Sequence, residues 1–378
     1  MVYLKDPFIT LRVMFLNFNK YKIVKCCDFS FIIFYSLVFC LQIYYLISYF
    51  SANPLIRYAT TILLVLWGIV GAILSVTLEK QILEATAFLD EMCWPLNMVR
   101  KEAQTKLERS CRIINIYITC SLLLILITVV FNMLCFSSQR DFFINIQIFE
   151  EYFGELSHVF NGLYFTGFPY LCYHGARLCY VFVYAILQIQ LQFSLIEEYL
   201  LQVYEIDCLK SWRYLRDTRY QQEMGKSLRL CITHHNALKK FVKMINDMSL
   251  ICMPFCLVLG VLILISCLAF VINFGDTLTI FVKLRILIFV VSCLCVLSVF
   301  CWSGQQLTDV SSYIFLTLAR APWYYWRLEN IKILLTFSTN CTKNDSIVLA
   351  GIRLEYMLFV SMLRISCSYA LVLFNLRK

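Results

Sequence analysis

Ser249–Phe274 reads SLICMPFCLVLGVLILISCLAFVINF, without one charged side chain. About 20 apolar residues in a helix cross a bilayer, so this stretch predicts a transmembrane helix. Runs of the same kind lie before it at Phe29–Phe50, Arg57–Leu78, Ile113–Cys135 and Tyr164–Leu191, and after it at Leu278–Trp302 and Leu354–Leu376. The fourth run is the least regular. His174 and Arg177 interrupt it, and its lead-in, Leu163–Tyr170, holds Gly167 and Pro169, a pattern that also fits a broken or cavity-lining segment. Together these runs predict an all-α membrane protein of seven transmembrane helices.

Composition agrees. Hydrophobic residues make up 61% of the 378, charged residues only 15%, and mean hydropathy is +0.74; a soluble domain carries far more charge. Eleven Gly and six Pro are too few for a strand-rich barrel with many tight turns. The 19 Cys sit mostly inside apolar runs, as Cys252, Cys256, Cys267, Cys293 and Cys295 do, and read as reduced packing residues. Met1–Cys27 mixes charged and apolar residues without the core of a signal peptide.

Lysine and arginine set the orientation, because cytoplasmic segments retain positive charge. Segments 1–27, 79–112, 192–248 and 303–353 hold 25 of the 33, and the opposite side holds five. The N-terminus is therefore expected in the cytoplasm and the C-terminus outside. That is the reverse of a G-protein-coupled receptor. Asn340-Cys341-Thr342 and Asn344-Asp345-Ser346 are glycosylation sequons that this topology leaves unmodified.

The basic segments are long. Residues 79–112 carry Ile82, Leu83, Ala85, Phe88, Leu89 and Met92 at helical spacing, and 194–246 alternates apolar and basic residues similarly. Both predict helices extending below the membrane. Tyr313–Arg320, Trp323–Trp326 and Ile331–Phe337 form a further amphipathic stretch, whose apolar stripe buries against this chain, another subunit or the membrane surface. The expected division is a cytoplasmic segment 1–28, a six-helix bundle 29–302 with extensions 79–112 and 192–248, an anchor region 303–353, and a seventh helix with a short tail, 354–378.

No catalytic pattern is present: no phosphate-cradling glycine loop, no zinc spacing, and only four His. The reading is of a protein that is not an enzyme, with no metal, cofactor or nucleic acid. His234-His235 reads as solvated or capping. No internal repeat supports a duplicated transporter. Arg177 and Arg364 are read as charges deep within spans without an accompanying carboxylate. In the last run, Ser368, Val372, Asn375 and Leu376 share one helical face. Such a stripe lines a pore around a symmetry axis, or bonds to neighbouring helices within one subunit.

The C-terminal third resembles the insect odorant receptor family. The resemblance rests on Gly304–Leu307 before Ser311-Ser312, on Trp323–Trp326, on Ala350-Gly351, and on Leu363-Arg364-Ile365-Ser366-Cys367-Ser368-Tyr369, with Leu228–Phe241 similar to the family's basic, His-containing helix. Ser368-Tyr369, five apolar residues and Asn375 also match the spacing with which the related gustatory receptors end. The resemblance implies an odorant-gated, non-selective cation channel of four subunits. The chain would be the tuning subunit beside a shared coreceptor, in the plasma membrane of olfactory sensory neuron dendrites. A tastant-gated homomer is the alternative; a seven-helix transporter or a G-protein-coupled receptor stands further off. Carried over by position, Val372 and Leu376 are the gate and Asn375 the adjacent amide. The implied pocket for a small volatile lies in the outer half, between the second, third, fourth and sixth spans. Its candidates are Tyr58, Thr61 and Leu64, then Ile127, Val130 and Phe131, then Phe168, Tyr170, Tyr173 and His174, and finally Phe281 and Leu284.

Overall fold

The computed structural model describes residues 6–17, 22–49, 52–134, 143–204, 215–275, 279–342, 348–349 and 352–377. Apart from a two-residue antiparallel pairing of Val348–Leu349 with Ile352–Arg353, the regular structure is helical. The long helices are α1 (Lys22–Ser48), α2 (Ala52–Thr77), α3 (Glu79–Met92), α4 (Lys101–Leu134), α5 (Ile144–Phe153), α6 (Ser157–Tyr204), α7 (Thr218–Phe274), α8 (Ile280–Ala319), α9 (Leu328–Asn340) and α10 (Tyr356–Arg377). Seven of the described helices are long and apolar enough to cross a membrane.

The fourth span is one continuous helix. α6 runs through Pro169 for 48 residues, and α7 likewise runs through Pro254 for 57. Both project well beyond ~30 Å of hydrocarbon at 1.5 Å per residue, as the amphipathic flanks predicted. α8 continues past Trp302 to Ala319 without a break. The 79–112 segment is divided after Met92, where Pro95 offers no backbone N–H to extend the helix.

α6 is the axis of the bundle. Its most apolar window is 89% buried, against 22% for α4 and α10. α2 approaches it closely at Gly71, where an added Cβ would lie 2.6 Å from the His174 carbonyl oxygen. α10 packs on α7 and α8. It buries Leu358, Met362, Ser366 and Ala370, a strict spacing of four.

Residues 6–17 form a strap across the basic side of the bundle. Phe8, Leu11, Phe15 and Leu16 are buried in it, and Arg12–Asn17 takes a π-helical turn. Arg12 donates to both Asp90 oxygens at 2.7 and 2.5 Å, while Asp6 accepts from Tyr184 Oη at 2.8 Å and Gln188 Nε2 at 2.6 Å. The strap therefore ties the chain start to the end of α3 and to α6.

His234 and His235 are buried, contrary to the solvated reading. His234 stacks on Trp94 at 4.2 Å and bonds Gln192 at 3.0 Å, and Gln192 Oε1 also accepts the Trp94 amide at 2.8 Å. His235 lies 3.5 Å from the Cys341 thiol beside Phe337. One sequon is thus built into packing at Cys341; Asn344-Asp345-Ser346 lies outside the described residues.

The aromatic corner 323–326 divides. Trp326 is buried against Tyr204, whereas Trp323 and Tyr324 are exposed. Gln221 holds the corner: its Nε2 donates to the Tyr325 carbonyl at 2.9 Å, and its Oε1 accepts from the Arg327 amide and Asn330 Nδ2, each at 2.9 Å. α9 buries Leu334 and Phe337 and leaves Leu328 and Leu335 exposed, so its stripe is only partly covered by this chain.

Candidate functional site

Near mid-span, α2, α4, α6, α7, α8 and α10 line a partly open cavity of about 170 Å³. Its existence follows from missing side chains. Gly175 on α6 faces Trp67 of α2 so closely that an added Cβ would sit 2.4 Å from the indole Cδ1. Across the space, Gly260 on α7 leaves room between Trp67 and the Met362 methyl, each 3.8 Å from where its Cβ would be. Trp67 is thus seated between two glycines. α8 supplies Phe289, Val296, Leu297 and Phe300, and α4 supplies Ile125 and Thr128.

No charged side chain lines the cavity among the described residues. Its hydroxyls are engaged with protein: Thr128 Oγ1 donates to the Leu124 carbonyl at 2.9 Å, Ser292 Oγ to the same carbonyl at 3.2 Å, and the two oxygens stand 2.5 Å apart. What remains is apolar wall and thiols, since every described cysteine is free. Such a space holds an uncharged molecule by burial and dispersion. A space of ~10 Å³ towards the C-terminal end of α7 shares Leu64 and Phe289 with it and reaches Thr61, Asn132 and Phe168.

No protein-family profile matches the chain, and no curated protein sequence does. Among solved structures, the insect olfactory receptor OR5 from Machilis hrabei is similar over 99% of this chain and 98% of its own, with a TM-score of 0.69 and 11% identity. The same receptor in complex with eugenol is similar over the same shares, with a TM-score of 0.67 and 10% identity. The chain has the insect olfactory receptor fold. At that identity the wall of any site is read from this chain alone.

Within this olfactory receptor fold the candidates named from sequence are scattered. Of them, only Leu64 lines the 170 Å³ cavity. Thr61 and Phe168 line the small space beside it. Tyr58 is buried and accepts a bond from Gln147 Nε2 at 3.0 Å. Phe131 is half-buried, and Ile127, Val130 and Phe281 are exposed, Phe281 at 69%.

Tyr170, Tyr173 and His174 occupy the other face of α6, towards α1 and the strap. His174 Nε2 lies 3.1 Å from Asp28 Oδ1, to which Tyr170 Oη also donates. Tyr173 donates to the Met14 carbonyl at 3.1 Å, and Arg177 Nε to the Phe15 carbonyl at 3.2 Å. A carboxylate therefore does reach the level of the α6 charges, which corrects the reading that none accompanies them. Asp28 stands one residue ahead of the first apolar run and escaped attention for that reason.

The cavity residues missed in the sequence are Trp67, Gly175, Met253, Cys256, Cys293 and Met362. Their only signal was glycine inside apolar helices, which marks close approach or space.

α10 has two faces. Met362, on the buried face, is its contribution to the cavity wall. Met357, Ser361, Arg364, Ser368, Val372 and Asn375, spaced by threes and fours, lie on the opposite face and are exposed, Val372 at 48%. The Leu376 side chain lies outside the described residues.

Proposed function

We propose that the chain is an odorant receptor, the ligand-binding subunit of a cation channel. The observation that carries this reading is Met362, a wall of the apolar cavity on the helix whose other face, with Ser361, Arg364, Ser368 and Asn375, is exposed. In this reading four subunits meet around one axis, the exposed face of α10 lines the pore, and Val372 and Leu376 close it beside Asn375. The exposed Trp323, Tyr324, Leu328 and Leu335 belong to the anchor between subunits. The strap and α9 lie in the cytoplasm, following the excess of Lys and Arg on that side. The partner subunit is a coreceptor, and the membrane is the plasma membrane of olfactory sensory neuron dendrites.

Gating is a population shift. A ligand that fits the cavity better in the open arrangement pulls α10 towards it, and can shift the balance only by that difference in affinity. The eugenol complex of a receptor with this fold supports a small volatile as the ligand class. The outer-half candidates other than Leu64, with Thr61 and Phe168 nearest the cavity, form the route or the rim in this scheme.

The test is whole-cell current from cells expressing the chain with and without an insect coreceptor, challenged with volatiles and tastants. A current that needs both coreceptor and a volatile supports the reading. Current from the chain alone to tastants moves it to the gustatory branch, whose C-terminal spacing it shares. Silence despite surface expression removes the channel claim. Coupling through Met362 has its own expected result. Met362→Ala lowers the maximal current by roughly fivefold or more, the lower range of ordinary coupling energies, while ligand affinity changes less. Equal losses of affinity and maximal current would reduce Met362 to a wall.

A further inference from the structure

The wall of the cavity is rich in sulfur. Four thiols, Cys172, Cys179, Cys256 and Cys293, reach it from α6, α7 and α8, and the thioethers of Met253 and Met362 complete the set. All four thiols are free, and each is partly accessible although it belongs to a membrane-spanning helix, as a group facing an internal space is. A wall needing only apolar bulk is ordinarily built from Leu, Ile, Val and Phe. Sulfur adds polarizability, and it makes favourable contacts with the edges and faces of aromatic rings.

The polar side of the wall is equally selective. The hydroxyl protons of Thr128 and Ser292 are directed at the Leu124 carbonyl and at each other. A ligand there meets oxygen lone pairs but no free hydroxyl proton. The indole nitrogen of Trp67 packs against α6, where a Cβ on Gly175 would lie 2.5 Å from Nε1. Volume sets the third limit: a dry cavity of ~150 Å³ accepts benzene, so about 170 Å³ accepts one ring with a short substituent.

We infer that this cavity selects uncharged monocyclic arenes and thioethers over saturated molecules of equal size. The inference rests on the reading that the cavity is the ligand site. Ring or sulfur contacts the thiols and thioethers of the wall. Charged amines and acids are excluded, since nothing on the wall solvates a charge.

The experiment measures binding apart from current. The full chain in lipid nanodiscs is titrated with thioanisole, anisole and cyclohexyl methyl ether, and affinity is read from the rise of the thermal unfolding midpoint. Thioanisole and anisole are expected to bind on the order of tenfold tighter than the saturated ether, the sum of a few sulfur–ring contacts. In the variant Cys172→Ala, Cys179→Ala, Cys256→Ala, Cys293→Ala the space grows equally for all three ligands, so the ratio is expected to fall towards one. The single variants Cys256→Ser and Cys293→Ser give the same test if the fourfold variant does not fold.

Equal affinities in the unaltered protein, an unchanged ratio in the variants, or no shift with any of the three would overturn the inference. Ring-selective binding without current from any subunit combination leaves the ligand class standing and removes the receptor-channel reading instead.

Discussion

Cells expressing Val372→Asn are expected to carry a cation current before any ligand is added. Val372 is half-exposed on the face of α10 opposite its packed stripe, in line with Ser368 one turn before and Asn375 one turn after. Around a shared axis, a ring of valines at that level makes a constriction that water leaves, and an ion cannot follow where water does not stay. An amide at the position rewets it. The resting current is expected to rise about tenfold, equivalent to ~1.4 kcal/mol in the closed–open balance. A pore blocker separates that current from leak. At matched surface expression, an unchanged resting current in both Val372→Asn and Leu376→Asn would take these positions out of the gate.

The second large effect is on assembly of the fold. Arg12 is 5% exposed, bonded through two nitrogens to Asp90 and 3.7 Å from Asp6. Removing one partner of a buried pair leaves the other charges uncompensated, at a cost of about 3 kcal/mol, the lower end of the usual range because Asp90 is partly open to water. Arg12→Met is therefore expected to lower the thermal midpoint by several degrees and reduce surface expression. The charge-swapped double variant Arg12→Asp, Asp90→Arg is expected to restore part of the loss. Equal stability of Arg12→Met and the unaltered protein would mean that the strap is held by Phe8, Leu11 and Phe15 alone. The Asp90 hydrogen bonds raise the Arg12 guanidinium further above its ordinary value. A raised group contributes fully below its unfolded titration range and is lost only above it, so the arginine adds no pH dependence to this stability near neutrality.

The helices were legible because hydropathy is a one-dimensional signal. A run such as Ser249–Phe274 needs lipid whatever it packs against, and the basic flanks continue the same helices. The strap was missed although Phe8, Leu11, Phe15 and Leu16 already stand at helical spacing; the pattern is too short to outweigh the charged residues among which it lies. The cavity was not legible because few of the aromatic and hydroxyl side chains that mark a site in sequence line its wall. Tyr170, Tyr173 and His174 belong to α6, which is buried on nearly all sides, and a helix without a solvent face has no periodicity to say which neighbour each residue meets. The wall is made instead of Gly, Cys and Met, which read in sequence as packing. Val372 and Asn375 lie on the exposed side of α10. α10 packs along one stripe only, so its spacing separated an occupied face from a free one.

In the channel proposed above, the position of Met362 makes selectivity and quiet inseparable. One side chain is both part of the mould that fits the ligand and part of the element that holds the closed state. A change that admits a bulkier molecule also relaxes what keeps the channel silent, and a change that silences it narrows what it can detect. Variants of this chain that acquire broader tuning are therefore expected to be noisier at rest, unless a second substitution on α7 or α8 resets α10 from behind.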